Sequence, residues 1–161
     1  ILYFLNMSAE TVTQTGQCNC GNIKYEIAST VRFSGYCHCK ACSRAMGQSP
    51  VHLVMFNGAD CIKVTAGNVK HCSGIGKMRH AFCGDCGTGL YQHPDGADVR
   101  AVFPVNFQIE DGASCRLPEK YHPSLHCNYE NRLLDSTDSL PKCKVWPGGE
   151  MLNNDGTPTQ A

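Results

Sequence analysis

The sequence predicts a mainly β domain stapled by metal ions. Three observations carry that expectation: stretches in which apolar and polar residues alternate, 16 glycines beside only 17% charged residues, and 12 cysteines gathered into tight groups. Alternation at period two marks a half-buried strand. Glycine supplies turns between short strands, and a low charge fraction argues against long solvated helices.

The elements follow in chain order. Residues 7–14 are polar and read as loose. After the turn Cys20-Gly21-Asn22, the apolar Ile23, Tyr25 and Ile27 alternate with polar neighbours, and Val31 and Phe33 continue toward Cys37. The stretch Lys40 to Met46 suits one or two helical turns stopped by Gly47. Val51-His52-Leu53-Val54-Met55-Phe56 is the most apolar run and predicts a buried strand. Asn57-Gly58 turns the chain, and Ile62 and Val64 resume the alternation as far as Ala66-Gly67-Asn68. Met78 to Phe82 leads into Cys83-Gly84-Asp85-Cys86-Gly87, whose glycines permit the tight turn of a zinc knuckle. Leu90 and Tyr91 begin a returning strand, and Val99, Ala101, Phe103 and Val105 give residues 98–107 a strand period. Beyond Cys115, the prolines at 118, 123, 141 and 147 predict loops. The expected organisation is one zinc-binding domain over 14–145. Residues 1–13 are expected to be a leader or disordered N-terminus, with Met7 a plausible start, and 146–161 a disordered tail.

Composition narrows the function. Lys and Arg total 14 and so do Asp and Glu, so there is no basic excess to track a phosphate backbone and nucleic acid is not the expected partner. No stretch approaches the roughly 20 apolar residues of a membrane span. The opening Ile1-Leu2-Tyr3-Phe4-Leu5 lacks the cationic flank of a secretory signal. A reducing, cytoplasmic setting is therefore expected.

The cysteines carry the chemistry. Cys18-x-Cys20, Cys37-x-Cys39-x-x-Cys42 and Cys83-x-x-Cys86 place thiols one or two residues apart. Such thiols converge readily on a tetrahedral ion with Zn–S bonds of about 2.3 Å, whereas a bridge within C-x-C is strained. Metal is expected rather than a disulfide framework. The simplest partition joins Cys18, Cys20, Cys83 and Cys86 around one closed ion and leaves Cys37, Cys39 and Cys42 around a second ion with one open position. Spacing alone leaves that second site open or closed, with Cys61, Cys72, His38, His52 and His80 as candidate fourth ligands. One cluster shared by all seven thiols is a further arrangement.

The ordered set Gly16-Gln17-Cys18-Asn19-Cys20-Gly21, Cys37-His38-Cys39-Lys40-Ala41-Cys42 and Phe82-Cys83-Gly84-Asp85-Cys86-Gly87 resembles the glutathione-dependent formaldehyde-activating enzyme family, which also includes centromere protein V. The resemblance covers residues 14–105, and Leu125 to Arg132 followed by Leu140-Pro141-Lys142 looks like the ending of fungal members. It implies a β-tent fold of small antiparallel sheets, a structural zinc on Cys18, Cys20, Cys83 and Cys86, and a catalytic zinc on Cys37, Cys39 and Cys42. It also implies a carbon–sulfur lyase that joins glutathione to formaldehyde or reverses that addition. Two departures stand in the sequence. Asn106-Phe107-Gln108-Ile109-Glu110-Asp111 replaces a Gly-x-Leu-Asp pattern, and Asn128-Tyr129 stands where bacterial members often carry Trp.

Around the expected open site, His38 is a candidate proton relay, set against a ring that merely faces solvent. Arg44 and Arg79 are candidates to grip a substrate carboxylate, set against surface or structural roles. Ser43 and Gln48 are candidates for the pocket lining, and Tyr129 for a pocket wall or a core position. Cys61, Cys72, Cys115, Cys127 and Cys143 read as buried small hydrophobes or idle thiols. Three functions compete: the lyase on a thiol and a small aldehyde, the same zinc fold acting on another electrophile in secondary metabolism, and a non-catalytic zinc-binding interaction module.

Overall fold

The computed structural model describes residues 10–109 and 116–159. The expected leader (residues 1–9 of it), Cys115, and Glu110 and Asp111 of the departing segment lie outside the described residues.

The chain is mainly β. Strand β1 (Thr11–Gln17) runs against the first half of the long β2 (Lys24–Cys37), in register from Thr11 opposite Thr30 to Gln17 opposite Lys24. β4 (Ile62–Ala66) covers the other edge of that half. Past an irregularity between Val31 and Phe33, β2 changes partners and pairs with β3 (Val51–Asn57), placing Cys37 opposite Val51. The larger sheet continues through β8 (Val99–Val102), β7 (Gly89–Pro94), β6 (Met78–Cys83) and β5 (Val69–Ser73). On the far side of β2 lie the two-residue strands β9 (His126–Cys127), β10 (Lys142–Cys143) and β11 (Met151–Leu152). The short β2–β9 and β9–β10 ladders are parallel, against the expectation of antiparallel pairing throughout. The one α-helix among the described residues, α1 (Lys40–Met46), follows β2 and ends at Gly47 with φ of 66°, where glycine takes the left-handed conformation at least cost.

Two further expectations are corrected. Residues 11–14 are strand rather than loose: only Val12 among them is apolar, so the backbone ladder to β2 fixes them. The segment expected as a disordered tail carries β11, and Asn153 N–H and Gly156 N–H close a turn onto Thr157 O and Asn153 O.

Why Val51 to Phe56 is apolar at almost every position follows from its place. Successive strand residues point to opposite faces, and β3 is buried on both. Val54 and Phe56 join a core with Ile23, Tyr25, Ile27, Leu90, Val102 and Phe107. Val51, Leu53 and Met55 join a second core with Phe33, Ala101, Phe103 and Leu125. Cys18 and Cys83 belong to the first core, Cys37 and Cys42 to the second. The sheet therefore separates the two cysteine groups.

Gly35 holds β9 against β2. A Cβ there would sit 2.7 Å from the Leu125 carbonyl oxygen and 3.0 Å from Leu125 Cδ1. Gly35→Ala is expected to destabilise the fold by about 1–3 kcal/mol through overpacking, read from urea unfolding midpoints. Gly47→Ala, which meets nothing within 4 Å but is strained at its φ of 66°, separates backbone strain from contact.

Candidate metal centre

The first cysteine group forms where two tight turns meet. Gly21 N–H donates to Cys18 O at 3.0 Å and Cys18 N–H to Ile23 O at 3.1 Å, folding Cys18 and Cys20 back on one another. Gly87, with φ of 74°, closes the second turn by donating to Cys83 O at 2.9 Å. The sulfurs of Cys18, Cys20, Cys83 and Cys86 then lie within 4.8 Å of one another. Cys18 to Cys20 is 3.4 Å and Cys20 to Cys83 is 3.8 Å. A tetrahedron with metal–sulfur bonds of about 2.3 Å has edges of roughly 3.8 Å, so this set fits a closed zinc site. Ile23 N–H donates to Cys18 Sγ at 3.2 Å. Thr88 contacts through its hydroxyl and N–H hold the Cys86 thiol down at about 6.

The second group is built at the junction of β2 and α1. Cys37 ends the strand, Cys39 caps the helix, and Cys42 lies on its buried side. Cys42 N–H donates to Cys39 Sγ at 3.3 Å. The sulfurs of Cys39 and Cys42 are 3.0 Å apart, those of Cys42 and Cys37 3.4 Å. Three convergent sulfurs fit a zinc ion as three of four ligands. Among the described residues the group closes at three: none of Cys61, Cys72, His38, His52 or His80 joins it. His52 Nε2 is engaged with Ser34 Oγ at 3.0 Å and Tyr121 O at 3.1 Å. Cys61 is buried in the opposite core, and Cys72 is exposed on β5. Nor do the two groups merge into one seven-thiol cluster.

Several side chains missed in the sequence support the triplet. Gln92, on β7 and 1% exposed, donates from Nε2 to Cys42 Sγ at 2.6 Å. Asn128 Nδ2 donates to Cys37 Sγ at 3.7 Å. Cys127, read as a buried small hydrophobe or an idle thiol, is fully buried and lies directly across the parallel ladder from Cys37. Hydrogen bonds from Cys127, Cys39 and Cys42 pull the Cys37 thiol far below its ordinary range, while the same contacts raise Cys42 and Cys127.

The other candidates divide. His38 is buried, and its Nε2 lies 2.8 Å from Nδ1 of His126. Ser43 has a buried hydroxyl without a partner among the described residues. Gln48 and Arg44 are exposed. Arg79 already holds a resident carboxylate, Nε to Asp95 Oδ1 at 3.2 Å, and donates to Ser73 Oγ at 2.7 Å. Tyr129 is fully buried, its hydroxyl donating to Asn154 O at 2.6 Å, which gives it the core position rather than a pocket wall. Cys143 is also buried, and the described cysteines are free thiols.

Comparison with known proteins adds the following. The family model described as glutathione-dependent formaldehyde-activating enzyme matches residues 13–131. No curated protein matches the chain. A solved structure of a Rhodobacter sphaeroides protein is similar at 21% identity and a TM-score of 0.48, covering 60% of this chain and 88% of that one.

Two measurements follow. Elemental analysis of protein prepared with zinc should give two ions per chain, falling to one in Cys42→Ser with the circular dichroism unchanged; loss of both would show the groups to be interdependent. Gln92→Leu should weaken the triplet's zinc affinity by about 10–100-fold in a chelator competition, leaving the four-sulfur group unaffected.

Proposed function

The chain belongs to the glutathione-dependent formaldehyde-activating enzyme family, and from that premise we propose that it is a carbon–sulfur lyase adding a thiol such as glutathione to a small aldehyde such as formaldehyde, or reversing that addition. The observation that carries the reading is the unequal ligand count: four sulfurs in one group, three in the other, with no further protein ligand joining the three among the described residues. In this reading the four-sulfur group holds a structural zinc and Cys37, Cys39 and Cys42 hold the reactive one.

Zinc bound by three thiolates, with one formal negative charge left over, would favour the deprotonated form of an incoming thiol and keep it beside a carbonyl carbon. The protein's own residues do the rest. Gln92 and Asn128 hold the sulfurs of Cys42 and Cys37 in place through N–H donors. Val51, Leu53 and Phe103 share a buried apolar core with Cys37 and Cys42, which strengthens polar interactions there. In the addition, the sulfur lone pair forms the C–S bond and the carbonyl π pair moves to oxygen. The proton lost by the thiol ends on that oxygen as a hydroxyl. Thiolate ligands and free cysteines suit a reducing, cytoplasmic setting. The balanced charge fits small-molecule partners rather than nucleic acid. Among the described residues no helix is long and apolar enough to cross a membrane.

A cavity of about 590 Å³, lined by Val12, Phe33, Met55, Leu125 and Trp146 among others, lies apart from the triplet: none of Cys37, Cys39 and Cys42 lines it.

X-ray absorption at the zinc edge tests the thiol step. Titrating glutathione to millimolar concentration should add one zinc–sulfur contact in the wild type and none in Cys42→Ser. An unchanged wild-type spectrum would remove the thiol-binding reading while leaving both metal groups intact.

A further inference from the structure

A line of polar groups runs from the Cys37–Cys39–Cys42 region through the buried His38 and His126 to Asp138, whose side chain is 41% exposed, and hydrogen-bond logic fixes where each hydrogen sits. Asp138 is the starting point. The ammonium of Lys142, itself 3% exposed, donates to Asp138 Oδ1 at 2.8 Å and to the carbonyl oxygens of Asp138 and Leu140 at 2.6 and 2.7 Å. Ser136 Oγ donates to Oδ2 at 2.7 Å and Leu140 N–H to Oδ1 at 2.9 Å. Burial opposes the charge, yet the bonds from Lys142, Ser136, Leu140 and His126 together hold the carboxyl well below the usual carboxylate range. An ionised carboxylate only accepts.

His126 Nε2 lies 2.9 Å from Asp138 Oδ2 and 3.2 Å from Oδ1, so Nε2 carries the hydrogen. The ring is 1% exposed, and burial pushes it toward the neutral form. Its Nδ1 is then a bare acceptor. His38 Nε2, 2.8 Å away, must donate to it. A hydrogen on both nitrogens of His38 would leave a buried N–H without an acceptor. Its Nδ1 is left without a hydrogen and, among the described residues, without a partner, at 2% exposure. The edge of the Tyr129 ring, with centroids 5.0 Å apart, holds the imidazole in this orientation. Among the described residues two more buried polar atoms near the triplet have no partner: Ser43 Oγ, one residue after Cys42, and Oε1 of Gln92, whose amide nitrogen touches Cys42 Sγ.

We infer that His126 and Asp138 are positioning residues that fix His38 as its Nε2–H tautomer, leaving Nδ1 as a hydrogen-bond acceptor for the hydroxyl of a thiol–aldehyde adduct. The tautomer stands on the hydrogen-bond chain and on the burial of both rings, whereas the identity of the hydroxyl rests on the proposed lyase reading. A neutral imidazole with one bare nitrogen is a fixed acceptor; the opposite tautomer would offer a donor to the same ligand and misorient it. The relation of Asp138 to His38 is thus one of geometry, transmitted through His126.

Long-range proton–nitrogen NMR of zinc-loaded protein labelled with nitrogen-15 reads the tautomer directly. The wild type should show His38 and His126 both protonated at Nε2. His126→Gln should keep the His38 pattern, because its amide can donate to Asp138 and accept from His38 at once. His126→Phe, which fills the same space without polar atoms, should release His38 into mixed tautomers. With glutathione and formaldehyde, kcat should fall roughly tenfold to a hundredfold in His126→Phe with KM little changed, and stay near wild type in His126→Gln. A wild-type His38 protonated at Nδ1 overturns the inference, and so does a His126→Phe variant that keeps the wild-type pattern. If wild-type protein turns over no thiol and aldehyde while the tautomers are as described, the lyase reading fails and the assignment of the relay stands.

Discussion

Seven sulfur atoms drawn into two groups, each a few ångströms across, is the constraint on which the structure depends. Thiols at 3.0 to 3.8 Å from one another gather negative charge as they lose protons. A divalent cation resolves that crowding by taking the lone pairs itself. In the four-sulfur group the consequence is mechanical: Cys20 and Cys83 stand 63 positions apart, so an ion there closes a long loop and its binding free energy becomes folding free energy. The mainly β architecture, with many short strands and modest cores, gains most from such a staple.

The two-sided burial of β3 gives the groups separate environments. One core surrounds Cys18 and Cys83, whose partners Cys20 and Cys86 remain exposed at the surface. The other surrounds Cys37 and Cys42, and there the supporting donors are side chains, the buried Gln92 and the half-buried Asn128, in addition to turn amides. Turn amides rigidly suit a site that only has to hold. Side-chain donors from distant strands suit a site whose ligand positions are tuned, since each can be altered without unfolding a turn.

The sequence made legible what lies close together along the chain. Both cysteine groups, the buried strand at Val51 to Phe56, the helix ended by Gly47 and the knuckle at Cys83 all come from local spacing. What it hid is contact across long separations. His38 meets His126 at 88 positions and Cys42 meets Gln92 at 50, and no pattern within a window of residues encodes either. Strand β1 was hidden for a different reason: Thr11–Gln17 is polar because its outer face is solvated, and its identity comes from backbone pairing with β2. The two-residue β11 is too short to carry any period, and its neighbours Gly148, Gly149 and Gly156 read as tail composition when they in fact make turns.

The same separation explains why the second site is chemically richer than its three cysteines suggest. Cys37 and Cys127 face each other because β9 lies parallel to β2, and Gly35 admits Leu125 at the distance that ladder needs. That register places Cys127 against Cys37 and, one residue earlier, His126 opposite Tyr36, from where its ring reaches His38. A single backbone pairing of two residues thus delivers a thiol to one side of the strand and a carboxylate-anchored imidazole to the other. Moving β9 by one residue would exchange the two faces, since neighbouring strand residues alternate. The order of His126 and Cys127 in the chain is therefore as much a part of the site as the three cysteines it supports.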